Sequence, residues 1–229
     1  MSRAVVLLSG GLDSATCLAL ARRQGRECHA LSFDYGQRHK IELECAEQVA
    51  RSLGAASHVV YTLDAAPFAG SSLTTGGDVP KDQAEPGAGE IPSTYVPARN
   101  LVFLSVATAY AETLDAEEAW IGVNAVDYSG YPDCRPDFIE AFAKAATLAT
   151  RRGTQEASPL AIRTPLLTLS KADIVRAGMD AGADFALTTS CYDPGRDEHG
   201  PLACGRCDAC ILRRRGFEAA GVADPTRYA

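Results

Sequence analysis

An apolar run at residues 4–8 is followed by a short small-residue turn and then a helical pattern over 14–24. Further short apolar runs recur at residues 29–33, 58–61 and 119–123, and helical patterns fill 38–53 and 100–114. Runs this short are strand-length, and strands alternating with helices predict βαβ units. The expected fold class is therefore α/β: a Rossmann-like parallel sheet with helices on both faces. In such sheets ligands bind beyond the carboxyl ends of the strands. Residues 101–111 are apolar almost all round, which predicts a buried helix.

The rhythm breaks over residues 64–98, where five Gly and five Pro interrupt any periodicity. So long a stretch predicts a mobile lid or binding loop, or disorder over 71–89. A second helical region is expected at 136–150, with Phe138, Phe142 and Ala146 on one face. Ser170-Lys171-Ala172-Asp173 supplies a capping-box-like start to a helix through Ala181, which Gly182 should stop. From Thr188 the chain turns cysteine-rich, so residues 1–187 are read as one α/β domain and 188–229 as a C-terminal segment packed on it.

Ser9-Gly10-Gly11-Leu12-Asp13-Ser14 joins the first strand to the first helix. There the free N–H groups of a tight turn and the positive end of a helix dipole converge, which makes an anion site. Glycines let the backbone approach the anion, Ser9 and Ser14 add hydroxyl donors, and Asp13 can hold Mg²⁺ against phosphates. No Gly-Lys-Ser/Thr follows, so the loop is not a Walker A sequence. It resembles the pyrophosphate loop of the N-type ATP pyrophosphatases, which transfer AMP rather than phosphate. Nucleotide contacts are expected from Leu8, Ser9, Gly10, Gly11, Leu12, Asp13 and Ser14 into the helix at Ala15, Thr16, Cys17 and Leu18.

Charge and cysteine content narrow the function classes. A net charge of −7, with four lysines against eighteen arginines, lacks the basic footprint of broad nucleic-acid binding. Met1-Ser2-Arg3 leads straight into the first strand and no apolar run approaches the roughly 20 residues that span a bilayer, so a cytoplasmic protein is expected. Of eight cysteines, Cys204, Cys207 and Cys210 form two overlapping CxxC units with Cys191 upstream. That set fills the tetrahedral shell of one structural Zn²⁺ and leaves no position open for water. His199 lies between the arms, but four thiols make it unnecessary. Cys17, Cys28 and Cys45 fall in elements and read as small hydrophobes.

Beyond the loop, Phe33-Asp34-Tyr35-Gly36-Gln37, Tyr95-Val96-Pro97-Ala98-Arg99-Asn100 and Gly122-Val123-Asn124 stand out. So do Asp127 through Arg135, Thr164-Pro165-Leu166-Leu167 with Lys171, and Ser190-Cys191-Tyr192. Together with the cysteine triplet, these resemble the 7-cyano-7-deazaguanine synthase family over nearly the whole chain. The resemblance implies ATP-dependent conversion of 7-carboxy-7-deazaguanine and ammonia to the nitrile by two adenylations, with Mg²⁺, one Zn²⁺ per chain and a homodimer. It also implies that Ser9, Gly10, Gly11, Asp13 and Ser14 bind pyrophosphate and Mg²⁺, and that Lys171 and Arg99 stabilise charge on the transferring phosphoryl group. For those two cations a surface ion pair is the alternative. Asp133 or Asp127 is implied to read the deazaguanine edge and Tyr128 or Tyr131 to stack on it, with Arg135 of the same loop also expected to bind the substrate. Two departures are visible: Ala98 stands where the pattern expects glycine, and the span from Cys191 to Cys204 is longer.

Two other readings fit parts of the chain. A tRNA-thiolating or lysidine-forming relative would share the loop, with Cys134 as the sulfur carrier, but would be expected to carry basic surface. A zinc-dependent binding module would keep the cysteines and leave the loop idle. Arg213-Arg214-Arg215 is read as a solvated helix face.

Overall fold

The computed structural model describes residues 2–37, 40–74, 77–83, 91–124 and 130–229. Five parallel strands make the main sheet: β1 (Arg3–Leu7), β2 (Glu27–Asp34), β3 (Ser57–Thr62), β4 (Glu118–Trp120) and β5 (Ala161–Arg163). Their order is β3-β2-β1-β4-β5. The chain thus winds outward from β1 to β3, returns across the sheet, and winds the other way through β4 and β5. The order reverses between β1 and β4, the kind of switch point where doubly wound sheets open a ligand crevice.

Strand alternation sends side chains into two cores. Ala4 and Val6 of β1, Leu8 just beyond it, and Cys28 and Ala30 of β2 pack beneath α1 (Leu12–Arg23) and α2 (Ile41–Ser52). Val5, Leu7, Leu31 and Phe33 face the opposite way, toward α3 (Arg99–Thr113) and α4 (Pro136–Ala149). A short helix, α5 (Arg151–Gln155), precedes β5. Two late helices, α6 (Lys171–Asp180) and α7 (Asp208–Ala220), join the first core through Ile174, Val175 and Phe217. Ser170 caps α6 by accepting from Asp173 N–H, and Gly182 ends it at φ +88°, as the residues there predict. A hairpin of β6 (Gly195–Asp197) and β7 (Gly200–Leu202) carries the cysteine segment.

At the amino-terminal edge of the sheet, Glu118 is nearly buried and accepts from Arg26, Arg163 and the Trp120 indole. Burial opposes its charge, yet these donors hold its pKa below the usual carboxylate range. They tie together the two halves of the winding.

Several expectations are corrected. α3 is not buried all round: Leu104, Ala107 and Ala111 face the sheet, whereas Leu101 is 43% exposed. It lies in an outer layer, so only one stripe is covered. β4 ends at Trp120 rather than continuing to 123. Beyond it Gly122 approaches the first turn of α1 so closely that a Cβ would lie 3.1 Å from the Asp13 carbonyl carbon. β5 and the hairpin, at three residues per strand, carry too little pattern to be read. The lid expectation is also narrowed, because Ser71, Ser72 and Val79 are buried. Lys81 pairs with Asp193 and Asp82 with Arg206, docking residues 77–83 on the cysteine segment. Residues 75, 76 and 84–90 lie outside the described residues.

Arg213 departs from the solvated-face reading. It is 2% exposed, pairs with Asp224 at 3.1 Å, and donates to the Phe185 carbonyl and Thr188 hydroxyl. Arg214 and Arg215 do face solvent.

The residue in glycine's expected place, Ala98, sits immediately before α3 at φ +51° and ψ 26°. A side chain in the left-handed region costs roughly 1–2 kcal/mol, part of which a glycine gives back in unfolded-chain entropy. Ala98→Gly should therefore stabilise the protein by about 0.5–1 kcal/mol, read as a higher urea midpoint at unchanged slope. A lower midpoint would show that the Ala98 methyl contributes packing greater than its strain.

Candidate active site

The turn after β1 is shaped by one close approach. Gly10 has φ +81°, and a Cβ there would lie 2.2 Å from the Glu42 carbonyl oxygen at the start of α2. Only glycine fits, so α2 pins the loop from behind. Ser14 Oγ donates to the Gly11 carbonyl at 3.0 Å and accepts from Ser9 N–H at 3.2 Å, closing the turn on itself. No side chain caps α1. Its leading N–H groups therefore point at an open anion site.

Asp13, in that first turn, meets two other segments. Lys171 Nζ donates to both of its carboxylate oxygens, at 3.0 and 2.8 Å. Asn124, beyond β4, donates to Oδ2 at 3.1 Å. The Lys171 stem lies across Gly216 of α7, where a Cβ would come within 2.5 Å of Lys171 Cγ. The pair is three-quarters or more shielded from solvent, so neither residue is in a surface ion pair.

A cavity opens at the carboxyl ends of β1, β2 and β4, and the loop forms part of its wall. Leu8, Ser9, Gly11, Leu12, Asp13 and Ser14 line it. Gly10 is tucked beneath α2, and Ala15, Thr16, Cys17 and Leu18 turn into the first core. At those four helix positions the side chains lie away from the cavity, since the helix carries them round to the core face.

Arg99 also lines the cavity. Its guanidinium donates to Tyr35 Oη at 3.3 Å and lies 5.9 Å from the centre of the Phe103 ring. Burial works against its charge, but Tyr35, Cys134 and Asp133 more than offset this and hold its pKa up. Tyr131 reaches the cavity, with its hydroxyl 3.1 Å from Thr94 Oγ1 and its ring stacked near Tyr95. Asp133 reaches it too, while its Oδ2 accepts the Asn100 backbone N–H at 2.8 Å and so secures the start of α3. Cys134 is buried in the same wall and accepts from Asn100 Nδ2 at 3.1 Å. Arg135 is exposed and does not line the cavity. Asp127 and Tyr128 lie outside the described residues.

Glu42, Gln37 and Arg213 also line the cavity, and sequence reasoning assigned none of them a role in the site. Gln37 is latched by the Tyr35 N–H and the Phe33 carbonyl. Glu42 looks in sequence like an ordinary acidic residue of a first helical turn, and nothing in its neighbourhood marks it. Burial pushes its carboxyl up to about 7, with the Arg99 guanidinium pulling the other way.

The four cysteines of the C-terminal segment do converge. The sulfurs of Cys191, Cys204, Cys207 and Cys210 all lie within 4.8 Å of one another. Backbone N–H groups of Tyr192, Asp193, Cys204, Arg206 and Cys207 point at three of these sulfurs, at 3.1–3.5 Å. Such donors favour thiolates, the form that binds metal. The cluster also abuts the loop, because Thr189 N–H donates to the Gly10 carbonyl at 3.0 Å and Tyr192 and Ala209 line the cavity.

Comparison with known proteins places this geometry in a lineage. The chain is 60% identical over 229 residues to a 7-cyano-7-deazaguanine synthase from Anaeromyxobacter dehalogenans, covering 99% of this chain and 96% of that one. A protein of the same name from Solidesulfovibrio magneticus is 58% identical, with 99% and 95% covered. An NMN synthetase structure from Francisella tularensis shares the fold at 16% identity and a TM-score of 0.50, covering 97% of this chain and 78% of that one. A family model described as queuosine biosynthesis protein QueC matches residues 3–221, and the chain therefore belongs to the QueC family.

Proposed function

We propose that the protein is an ATP-dependent ligase that turns 7-carboxy-7-deazaguanine and ammonia into 7-cyano-7-deazaguanine, releasing AMP and pyrophosphate in each of two rounds. The observation that carries this reading is the uncapped Ser9–Ser14 turn, facing a cavity walled by Lys171 and Arg99, in a chain of this family. A carboxylate resists attack because its leaving group would be oxide. Transfer of AMP to that oxygen supplies a good leaving group, and ammonia then displaces it to give the amide. A second AMP transfer, to the amide oxygen, allows loss of two N–H protons and of AMP to leave C≡N. Both rounds present an oxygen nucleophile to the same α-phosphorus, so one loop serves both.

In this reading the α1 N-terminus and the Ser9 and Ser14 hydroxyls hold the pyrophosphate, and Arg99 and Lys171 offset charge on the transferring group. Mg²⁺, when bound, shields the phosphates, and Asp13 is the loop carboxylate suited to hold it. Lys171 now occupies both Asp13 oxygens, so nucleotide binding is expected to loosen that pair. Tyr131 and Asp133 are proposed to contact the deazaguanine.

Zn²⁺ is the proposed occupant of the cysteine cluster, since a closed set of four sulfurs suits it and supplies stability rather than chemistry. A homodimer is proposed as well. Supporting it, the edge strand β3 exposes Val59, Val60 and Tyr61, and α3 exposes Leu101, an unusual apolar surface for a monomer. Among the described residues no helix is long and apolar enough to cross a membrane. With eight unpaired cysteines, the chain fits a reducing compartment, and we place it in the cytoplasm.

Asp13→Asn should keep the fold and the metal while lowering AMP release by at least about 10²-fold, with the KM for ATP changed only a few-fold. Two AMP per nitrile are expected from the unaltered enzyme; ADP as product, or one AMP per nitrile, would overturn double adenylation. Cys207→Ser should lower zinc content, measured by elemental analysis. It should also lower the melting temperature by on the order of 10 °C, the scale of a lost metal site in a chain of this size. An unchanged melting temperature would remove the structural role.

A further inference from the structure

We propose that Glu42 is the proton acceptor that turns ammonium into the attacking ammonia, and that it takes protons from nitrogen again when the amide becomes a nitrile. The proposal rests on the ligase reading above. Three observations carry it. The Glu42 side chain lines the same cavity as Ser9, Asp13 and Arg99, while its own backbone carbonyl abuts Gly10 of the phosphate loop. Its carboxylate has no hydrogen-bond partner among the described residues, and the cation that acts on it is Arg99. Glu42 is half-buried at the cavity wall, and a partly desolvated carboxylate without donors is poorly compensated, so it suits a ligand that brings N–H bonds of its own.

The surrounding groups fit a base rather than a purely structural carboxylate. Facing it are Arg99 of α3 and the Tyr35 hydroxyl beyond β2, with Cys45 on its own helix. Arg213 of α7 lines the same cavity. Arg99 is itself bonded to Tyr35 rather than to Glu42, so the carboxylate is left free to accept.

The proton balance closes in both rounds. Ammonium gives one proton to the Glu42 carboxylate, and the freed nitrogen lone pair forms the C–N bond at the acyl-adenylate carbon. The C–O bond to AMP breaks, AMP leaves with the electron pair, and the surplus ammonio proton passes to solvent. After the amide oxygen has received its AMP, one N–H proton goes to solvent and the last to Glu42. The electron pair of that final N–H bond becomes part of C≡N as the second C–O bond breaks. Glu42 returns its proton to water between rounds.

Glu42→Gln keeps size and removes basicity. In that variant, ATP–pyrophosphate exchange dependent on 7-carboxy-7-deazaguanine should persist, and amide formation from ammonium should fall roughly 10²–10⁴-fold. Hydroxylamine, neutral at pH 7 and needing no base, should still yield the hydroxamate at close to the unaltered rate. The unaltered enzyme should show kcat/KM for total ammonium rising through pH about 7 and then levelling, whereas the variant should keep rising with the fraction of free ammonia. Loss of exchange and hydroxamate together in a folded variant would make Glu42 a residue of nucleotide or substrate binding and overturn the proposal. So would amide formation within about threefold of normal, or an unaltered enzyme whose ammonium profile lacks the limb near 7. If the unaltered enzyme shows no substrate-dependent exchange at all, the ligase reading itself falls.

Discussion

The contact between Asp13 and Lys171 organises the molecule. The two residues are 158 positions apart, and their meeting requires the sheet, the first turn of α1 and the start of α6 to be built correctly. Asn124 reaches the same carboxylate from beyond β4, and the lysine stem is supported by the missing side chain of Gly216. A shielded charge pair contributes little net stability once desolvation is counted, but it is costly to break on one side only. Its value lies in registration: a lysine ammonium is held beside an anion-binding turn before any anion arrives.

That arrangement reconciles an acidic chain with a phosphate ligand. The net charge of −7 describes the whole surface, whereas the cavity gathers Lys171, Arg99 and Arg213 around an uncapped helix N-terminus. In a cleft with low-dielectric walls such local charge counts for more than the overall sum. Of the cavity's carboxylates, Asp13 is held by Lys171 and Asp133 by the Asn100 N–H, whereas Glu42 has no hydrogen-bond partner among the described residues and gives the cavity a second chemical end, able to accept a proton.

The fold was legible where local pattern and tertiary role agree. β1, the glycine turn and α1 announce themselves because backbone chemistry forces both the glycines and the hydroxyls. The four cysteines do the same, because metal geometry restricts their spacing. Legibility failed where burial is decided by distant partners. Leu101 and Leu104 are the same residue type three positions apart, yet only one meets the sheet. Arg213 sits in a run of three arginines, and only Asp224, Thr188 and Phe185 decide that it is the buried one. Glu42 carries no local mark because its character comes from what surrounds it, not from its neighbours in sequence. Ala98 was flagged by resemblance alone, and its left-handed backbone supplies the physical reason that a glycine is expected there.

The four-cysteine cluster beside the loop also has a mechanical reading. The loop is held from one side by the Glu42 carbonyl against Gly10 and from the other by the Thr189 N–H on the Gly10 carbonyl. Thr189 lies two residues before Cys191, whose sulfur accepts from Cys204 N–H. From Cys207 the chain passes directly into α7, which carries Arg213 to the cavity and Gly216 beneath Lys171. Small hairpin strands of three residues cannot fix such a path by themselves. The proposed ligation of the four sulfurs by one ion would fix the relative positions of the segments on either side of the hairpin, and thereby the back wall of the loop. On this argument the cluster and the loop form one mechanical unit, in which stability is stored at the sulfurs and expressed as the position of Gly10.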